Sequence, residues 1–299
     1  MPRPTLSNWL SILARGLIWG ATFMVVTLAL RGYGPLTVAA ARTSLGALTL
    51  GAAALISGRR ARITTAHLPY LMGVGVCSTA LPFFLLSWGQ QQVTSAFAGL
   101  SMAAVPLFVI PLAHVFVAGE RMTAARIAGF ALGFAGVLVL IGPDALSDRS
   151  AALPRLACFG AALSYALSAI MTRRCPPIDP VALAALSLVV GSVALVPITL
   201  ALEGWPALAA PQAVTAILFL GLVPTALAAL LRVTVIRSAG PAFMTLTNYQ
   251  VPLWSALFGA LALEESLSPR FFAALALILG GLALSQRAPR FSAPAGSAS

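Results

Sequence analysis

No lysine occurs among the 299 residues, so all eighteen basic side chains are arginine, and only seven residues are acidic. A nucleotide-binding Gly-x-x-x-x-Gly-Lys-Ser/Thr loop cannot be written in such a chain. An embedded nucleotide-binding domain would also need about 100 residues of soluble chain, whereas the longest polar break is the stretch near 142–155. ATP is therefore not an expected partner. Histidine is nearly as scarce: His67 and His114 lie far apart, and neither begins a His-Glu-x-x-His zinc helix. Asp144, Asp148 and Asp179 all fall outside the apolar runs, which leaves no intramembrane aspartyl pair. A serine nucleophile would have only His114 as a base within an apolar run, and a packed or interfacial histidine suits that place better. Cys77, Cys158 and Cys175 are too few and too scattered for a disulfide framework or a metal cluster. Neither an enzyme, a cofactor nor a metal site is expected.

Apolar residues make up 60% of the chain and charged residues 8%, whereas roughly a quarter of a soluble domain is charged. Runs of about twenty apolar residues, each able to cross a hydrocarbon core of roughly 30 Å, follow one another with short polar breaks. Ten spans result: 11–30, 36–56, 67–88, 95–117, 124–141, 152–172, 181–202, 211–232, 240–262 and 269–286. In lipid, backbone groups must be satisfied within a helix or a closed barrel, and the alternation of barrel strands is absent. All ten are expected to be helices. The first lacks a small-residue cleavage site and is followed at once by more spans, so it reads as a retained helix.

A formal charge of +11 on a soluble protein would suggest nucleic acid, but here the arginines sit between apolar runs and act as topological anchors. With the N-terminus inside, about twelve arginines fall on the cytoplasmic side, and only Arg31, Arg149, Arg155 and Arg270 fall outside. Both termini are expected to be cytoplasmic, the lipid bilayer is the surrounding medium, and no nucleic acid is expected. Arg15 and Arg42 remain inside spans.

The stretch 75–107 recurs, 146 residues on, at 221–253, with about eleven of thirty-three positions identical. Among them are Gly75/Gly221, Thr79/Thr225, Phe97/Phe243 and the triplets Val105-Pro106-Leu107 and Val251-Pro252-Leu253. Five spans per copy force the second copy to enter the membrane upside down. The expected fold is an all-α polytopic membrane protein of ten transmembrane helices, built as two inverted five-helix repeats, residues 1–145 and 146–299. Inverted halves of this kind hold a small molecule near the midplane and expose it alternately to each side.

Trp19-Gly20-Ala21-Thr22-Phe23, Pro35 followed by Ala39-Ala40-Ala41-Arg42, and Gly119-Glu120-Arg121 ahead of Gly129, Gly133 and Gly136 together resemble the drug/metabolite transporter superfamily, in particular its EamA-type members. The second copy repeats the exit as Glu264-Glu265 and Gly280-Gly281 but replaces the Trp-Gly signature by Gly160 to Tyr165. The likeness covers residues 10 to 287. It implies a bacterial inner-membrane exporter of amino acids or other small metabolites, with the exporters of aromatic amino acids as the nearest likeness. Broad drug efflux is the alternative within the same fold.

Candidate substrate contacts follow from helical spacing. Phe243, Thr247, Gln250 and Trp254 share one face of the ninth span, with Asn248 and Tyr249 beside them. Polar groups in mid-membrane point to the bundle interior or a wet cavity, or else tie helices together. The corresponding face of the fourth span carries Phe97 and Ser101. In the third span Phe84, Trp88 and Gln91 align after Pro82, although Trp88 also suits an aromatic belt at the outer interface. Trp19 and Phe23 lie one turn apart in the first span, either at the cavity or in packing, and Tyr165 stands in the sixth. Arg42 lies about 9 Å into the second span at 1.5 Å per residue, with no acidic residue inside any span to pair with it. It reads either as a substrate-carboxylate partner or as a structural arginine that snorkels or caps carbonyls. Arg15, nearer the inner edge, is expected to snorkel. The absence of an intramembrane carboxylate leans toward gradient-driven export.

Overall fold

A computed structural model describes residues 5–58, 63–229, 231 and 246–286. Among them eight helices are long and apolar enough to cross a membrane: α1 (Leu6–Leu30), α2 (Pro35–Ile56), α3 (Thr65–Gly89), α4 (Ser95–Phe116), α5 (Ala124–Ile141), α6 (Arg149–Arg174), α7 (Pro180–Leu202) and α10 (Pro269–Gln286). Two shorter apolar helices, α8 (Pro211–Leu227) and α9 (Thr247–Ala262), border the residues outside this description. The chain is a multi-pass membrane protein. Large apolar side chains such as Leu48, Leu138, Val193 and Leu261 are exposed on the outside of the bundle, as a lipid-facing surface requires.

Helix ends fall where local chemistry sets them. Thr94 begins α4 by accepting from Phe97 N (3.1 Å), Asp148 begins α6 by accepting from Ser150 N (2.8 Å), and Asp179 begins α7 by accepting from Val181 N and Ala182 N. Pro35, Pro180, Pro211 and Pro269 occupy first turns, where a missing N–H costs nothing. Each sequence-derived span that these residues cover coincides with its helix to within a few positions.

Helix α2 packs along α7, α1 along α9, α3 along α6, and α5 along α10. The α5–α10 contact brings backbone against backbone. A Cβ on Gly129 would stand 2.5 Å from the Gly281 carbonyl, and one on Gly136 would stand 2.8 Å from Ile278 Cγ1. Only glycine lets two backbones meet this way in lipid, where packing and not water drives association.

Helices α3 and α8 both loosen into a π-turn at the duplicated stretch, Val76–Ala80 and Gly221–Leu227. At these turns Thr79 donates to Gly75 O (2.5 Å) and Thr225 to Leu220 O (2.7 Å). The surroundings recur as well. Gly75 faces Val190 and the Ser187 carbonyl, as Gly221 faces Leu45 and the Arg42 carbonyl; Gly191 abuts Thr79, as Gly46 abuts Thr225. The α3–α7 and α2–α8 contacts are thus built from matching parts, except that Arg42 stands in one where Ser187 stands in the other.

The end of the bundle where α2, α4, α6, α8 and α10 begin is called the upper rim here, and the opposite end the lower. At the upper rim α2 begins at Gly34 with no side-chain cap of its own. Glu203, at the end of α7, supplies one: it accepts from Leu36 N (2.9 Å), Thr37 N (2.8 Å) and the Thr37 hydroxyl (2.7 Å). Glu265 likewise accepts from Ser95 N (2.7 Å), the Ser95 hydroxyl (3.1 Å) and Ala96 N (3.1 Å) at the start of α4. A carboxylate on a helix N-terminus gains both hydrogen bonds and the favourable end of the helix dipole. Elsewhere on the rim Asp144 bridges Arg155 (2.6 Å) and Arg270 (2.7 Å), and these two, Arg270 foremost, pull its carboxyl down to about 2. At the lower end Glu120 pairs with Arg126 and Arg173, both 2.9 Å away, which hold its carboxyl below the usual range, Arg126 foremost.

Candidate functional site

Several interior polar groups lie along a seam where helices α1–α4 meet helices α7–α9. Helix α2 carries Arg42 into this seam, 4% exposed. Its guanidinium carbon lies 3.8 Å from the centre of the Phe83 ring on α3, and its Nη2 is 3.5 Å from Thr225 Oγ1 on α8. Because the Thr225 hydroxyl proton is engaged with Leu220 O, its oxygen is free to accept. Arg42 Nε is buried without a hydrogen-bond partner. Phe84 and Tyr165 pack against the same apolar cluster as Phe83, so Arg42, Phe83, Phe84, Tyr165 and Thr225 form one corner of the seam.

Tyr165 also borders a second cluster, which contains Phe23, Phe97 and Phe159 and is flanked by Trp19. Trp19 Nε1 is buried with no partner. Phe23 and Phe97 are core residues here: Phe97 packs edge-on against Phe159 at 6.1 Å, and Phe23 is 3% exposed. Ser101 is buried and donates to Ala98 O of its own helix, so its hydroxyl proton is already used. Trp19 and Tyr165 remain only half-buried and link the aromatic interior to the Arg42 corner.

On α9 Thr247 is buried and its hydroxyl has no partner. Gln250 and Trp254 lie directly on α1, where a Cβ at Gly16 would come 2.6 Å from Gln250 Oε1 and one at Gly20 would overlap the Trp254 Cβ. Trp254 Nε1 donates to Gln250 Oε1 at 3.5 Å. The two therefore fasten α9 to α1 while edging the seam.

Three expectations need correction, and one lies outside the described residues. Gln91 is exposed because α3 ends at Gly89, and the glutamine that turns inward is Gln90, which donates to Phe23 O (2.8 Å) and the Thr27 hydroxyl (3.1 Å). Asn248 is exposed, and Tyr249 bonds to Gln286 at the lower end of α10, so neither belongs to the mid-membrane face. Arg15 does not snorkel: it is 8% exposed, donates to the Ala228 carbonyl (2.5 Å) and lies 5.4 Å from the Trp19 ring. Phe243 lies outside the described residues. Trp88 is half-buried near the upper end of α3.

Sequence reasoning missed Thr225, Phe83, Gln90 and Glu203. Thr225 was visible as one of the duplicated residues, but only its π-turn brings it to Arg42. A separate pocket of about 210 Å³ opens at the upper rim among Thr94, Phe97, Arg155, Ser268, Arg270 and Phe271. Its two arginines are already paired with Asp144. Of the sequence-derived contacts only Phe97 reaches it.

The sequence matches the EamA-like transporter family twice, over residues 7–142 and 153–286. It is 27% identical to the uncharacterized transporter YoaV of Bacillus subtilis over 91% of this chain and 94% of the relative. It is 28% identical to a probable terminal-alkyne amino-acid exporter of Streptantibioticus cattleyicolor, over 90% of each. One crystal structure, at 21% identity, superposes with a TM-score of 0.64 over 93% of this chain and 96% of the other, and this likeness concerns the fold alone.

Proposed function

The chain belongs to the EamA-like transporter family, and from that premise we propose that it exports small zwitterionic metabolites, amino acids with neutral or aromatic side chains foremost, by alternating access. The proposed architecture is ten membrane helices in two inverted halves, residues 1–145 and 146–299, in a bacterial inner membrane. Both termini lie in the cytoplasm and the upper rim faces outward. The matching surroundings of the two π-turns support the inverted duplication. π-Turns of this kind recur at functional sites because they break helical register beside a ligand.

One observation carries the substrate reading. Trp19 Nε1 and Arg42 Nε are buried in the middle of the bundle without a hydrogen-bond partner, and Thr247 Oγ1 is so at the lower start of α9. An unmet polar group costs about 1–3 kcal/mol when buried; a carboxylate could accept from Arg42 Nε or Trp19 Nε1, whereas an ammonium could donate only to Thr247 Oγ1. Trp19, Tyr165, Phe84 and Trp254 supply the aromatic surface that would pack its side chain. Phe23, Phe97 and Ser101 shape the wall behind them. In this reading Glu203 and Glu265 close the outer end in the state described, and the substrate reaches the seam from the cytoplasm.

Counterflow in proteoliposomes tests the proposal, with a labelled panel of phenylalanine, tryptophan, tyrosine, leucine, methionine, threonine and lysine, with and without a pH gradient. Accumulation of neutral amino acids without an imposed gradient is expected. Accumulation of none of them, with uptake of hydrophobic cations instead, would replace this reading by drug efflux.

A further inference from the structure

All seven acidic side chains lie among the described residues, and none is paired with Arg42. The seven acidic residues are Glu120, Asp144, Asp148, Asp179, Glu203, Glu264 and Glu265. Glu120 holds Arg126 and Arg173; Asp144 holds Arg155 and Arg270; Asp148 and Asp179 begin α6 and α7; Glu203 and Glu265 cover the starts of α2 and α4. Glu264 is exposed at the rim with a positive φ of 56°. Among the described residues there is therefore no carboxylate counter-ion for Arg42, which is 4% exposed at the α2–α8 contact.

Arg15 too is a buried arginine on a membrane helix, and its Nη1 donates to the backbone carbonyl of Ala228. Arg42 has no such carbonyl among its hydrogen bonds. One face of its guanidinium is covered by Phe83, one corner touches Thr225 at the long distance of 3.5 Å, and Nε is unmet. A planar guanidinium with one face stacked and its Nε unbonded keeps donors that a carboxylate could use. The matching contact between α3 and α7 has Ser187 at this position, with its hydroxyl also buried and unpartnered. Only one of the two contacts offers a charge, so a bound zwitterion would have a fixed orientation.

We infer that Arg42, backed by Phe83 and Thr225, is the subsite for the carboxylate of the transported molecule, and that this subsite selects carboxylate-bearing compounds over neutral or cationic analogues of the same shape. The inference rests on the proposal that the seam is the transport path. Thr225, in the π-turn of α8, gives its proton to Leu220 O and accepts from Arg42, so it holds the guanidinium in place while Arg42 alone would donate to the carboxylate.

The test uses whichever panel member moves. For phenylalanine, counterflow of the labelled compound is competed by phenylalanine, by phenylalaninamide, which lacks the carboxylate, and by 3-phenylpropionate, which lacks the amine. In the unaltered protein the amide should compete at least about tenfold more weakly than 3-phenylpropionate, which corresponds to losing one charge-assisted interaction of about 1.4 kcal/mol or more. Arg42→Gln should raise the KM for phenylalanine about tenfold or more and abolish the preference for the acid over the amide; Arg42→Lys should restore part of it. Equal competition by amide and acid in the unaltered protein overturns the inference while leaving the export proposal standing, because phenylalanine still moves. Retention of the preference in Arg42→Gln also overturns it. If Arg42→Gln fails to fold, the competition in the unaltered protein decides alone. Movement of no amino acid at all is a failure of the export proposal and shows itself before any competitor is added.

Discussion

The upper rim and the seam treat charge in opposite ways. At the rim Glu203 and Glu265 each reach the start of a helix in the other half and accept three hydrogen bonds there. In the seam Arg42, Trp19 and Thr247 keep buried donors with nothing to meet them. A protein held together by its polar contacts would satisfy both regions. One that moves a polar molecule needs the first to be complete and separable, and the second to be incomplete until the molecule arrives.

The most disruptive change is expected in the packed part of the seam. Gly20→Leu forces a side chain into the Trp254 backbone region and separates α1 from α9. Overpacking of this kind costs about 1–3 kcal/mol and sometimes more. Thermal unfolding in detergent should show a lower Tm together with loss of transport. An unchanged Tm would mean that α1 and α9 are not fastened there.

Next in size are the rim carboxylates. Hydrogen bonds to a charged group contribute about 1.5–3 kcal/mol, so Glu203→Gln or Glu265→Gln should shift the balance toward an open rim by roughly tenfold or more. The change should appear as faster modification, by an impermeant thiol reagent, of a cysteine placed at Ser95 or Thr37. Unaltered rates in both variants would make the two glutamates ordinary helix caps.

The seam's unmet groups give a sharper contrast, because their removal breaks no bond in the empty protein. Thr247→Val and Trp19→Phe should leave Tm unchanged or slightly raised while lowering the rate of counterflow severalfold. A clear loss of Tm in step with transport would instead assign them to helix packing.

The smallest effect concerns pH. The Asp144 carboxyl is lowered from its ordinary value to about 2 by Arg270 and Arg155. Its contribution is therefore complete above the ordinary carboxylate range and is lost as pH falls toward about 2. Because Asp144 is exposed, the effect should be a small additional drop in Tm in acid that disappears in Asp144→Asn.

The helices were legible in the sequence because apolar runs and capping residues act locally, and Pro35, Pro180, Pro211 and Pro269 mark starts that the structure repeats. The recurrence of residues such as Gly75/Gly221 and Thr79/Thr225 was visible in the sequence as well. What the sequence did not reveal is that these residues form π-turns. A π-turn adds a residue to one turn and rotates every later side chain, so a face drawn with regular spacing drifts off its target. Gln91 went astray for a simpler reason: α3 ends before reaching it, and Gln90 turns inward instead. The two rim caps were also illegible, because Glu203 and Glu265 act on residues some 170 positions away. Arg42 was found because a lone charge in an apolar run has a cost that composition alone exposes.

Whether the rim opens while the seam holds substrate is tested most directly by distance measurements across the rim. Spin labels at Arg31 and Trp205, both exposed, would be placed in a chain lacking Cys77, Cys158 and Cys175 and reconstituted in lipid. The distribution should be dominated by a short separation and should gain a longer one when Glu203→Gln and Glu265→Gln are combined. A single unchanged separation in that double variant, with transport intact, would contradict alternating access through this rim.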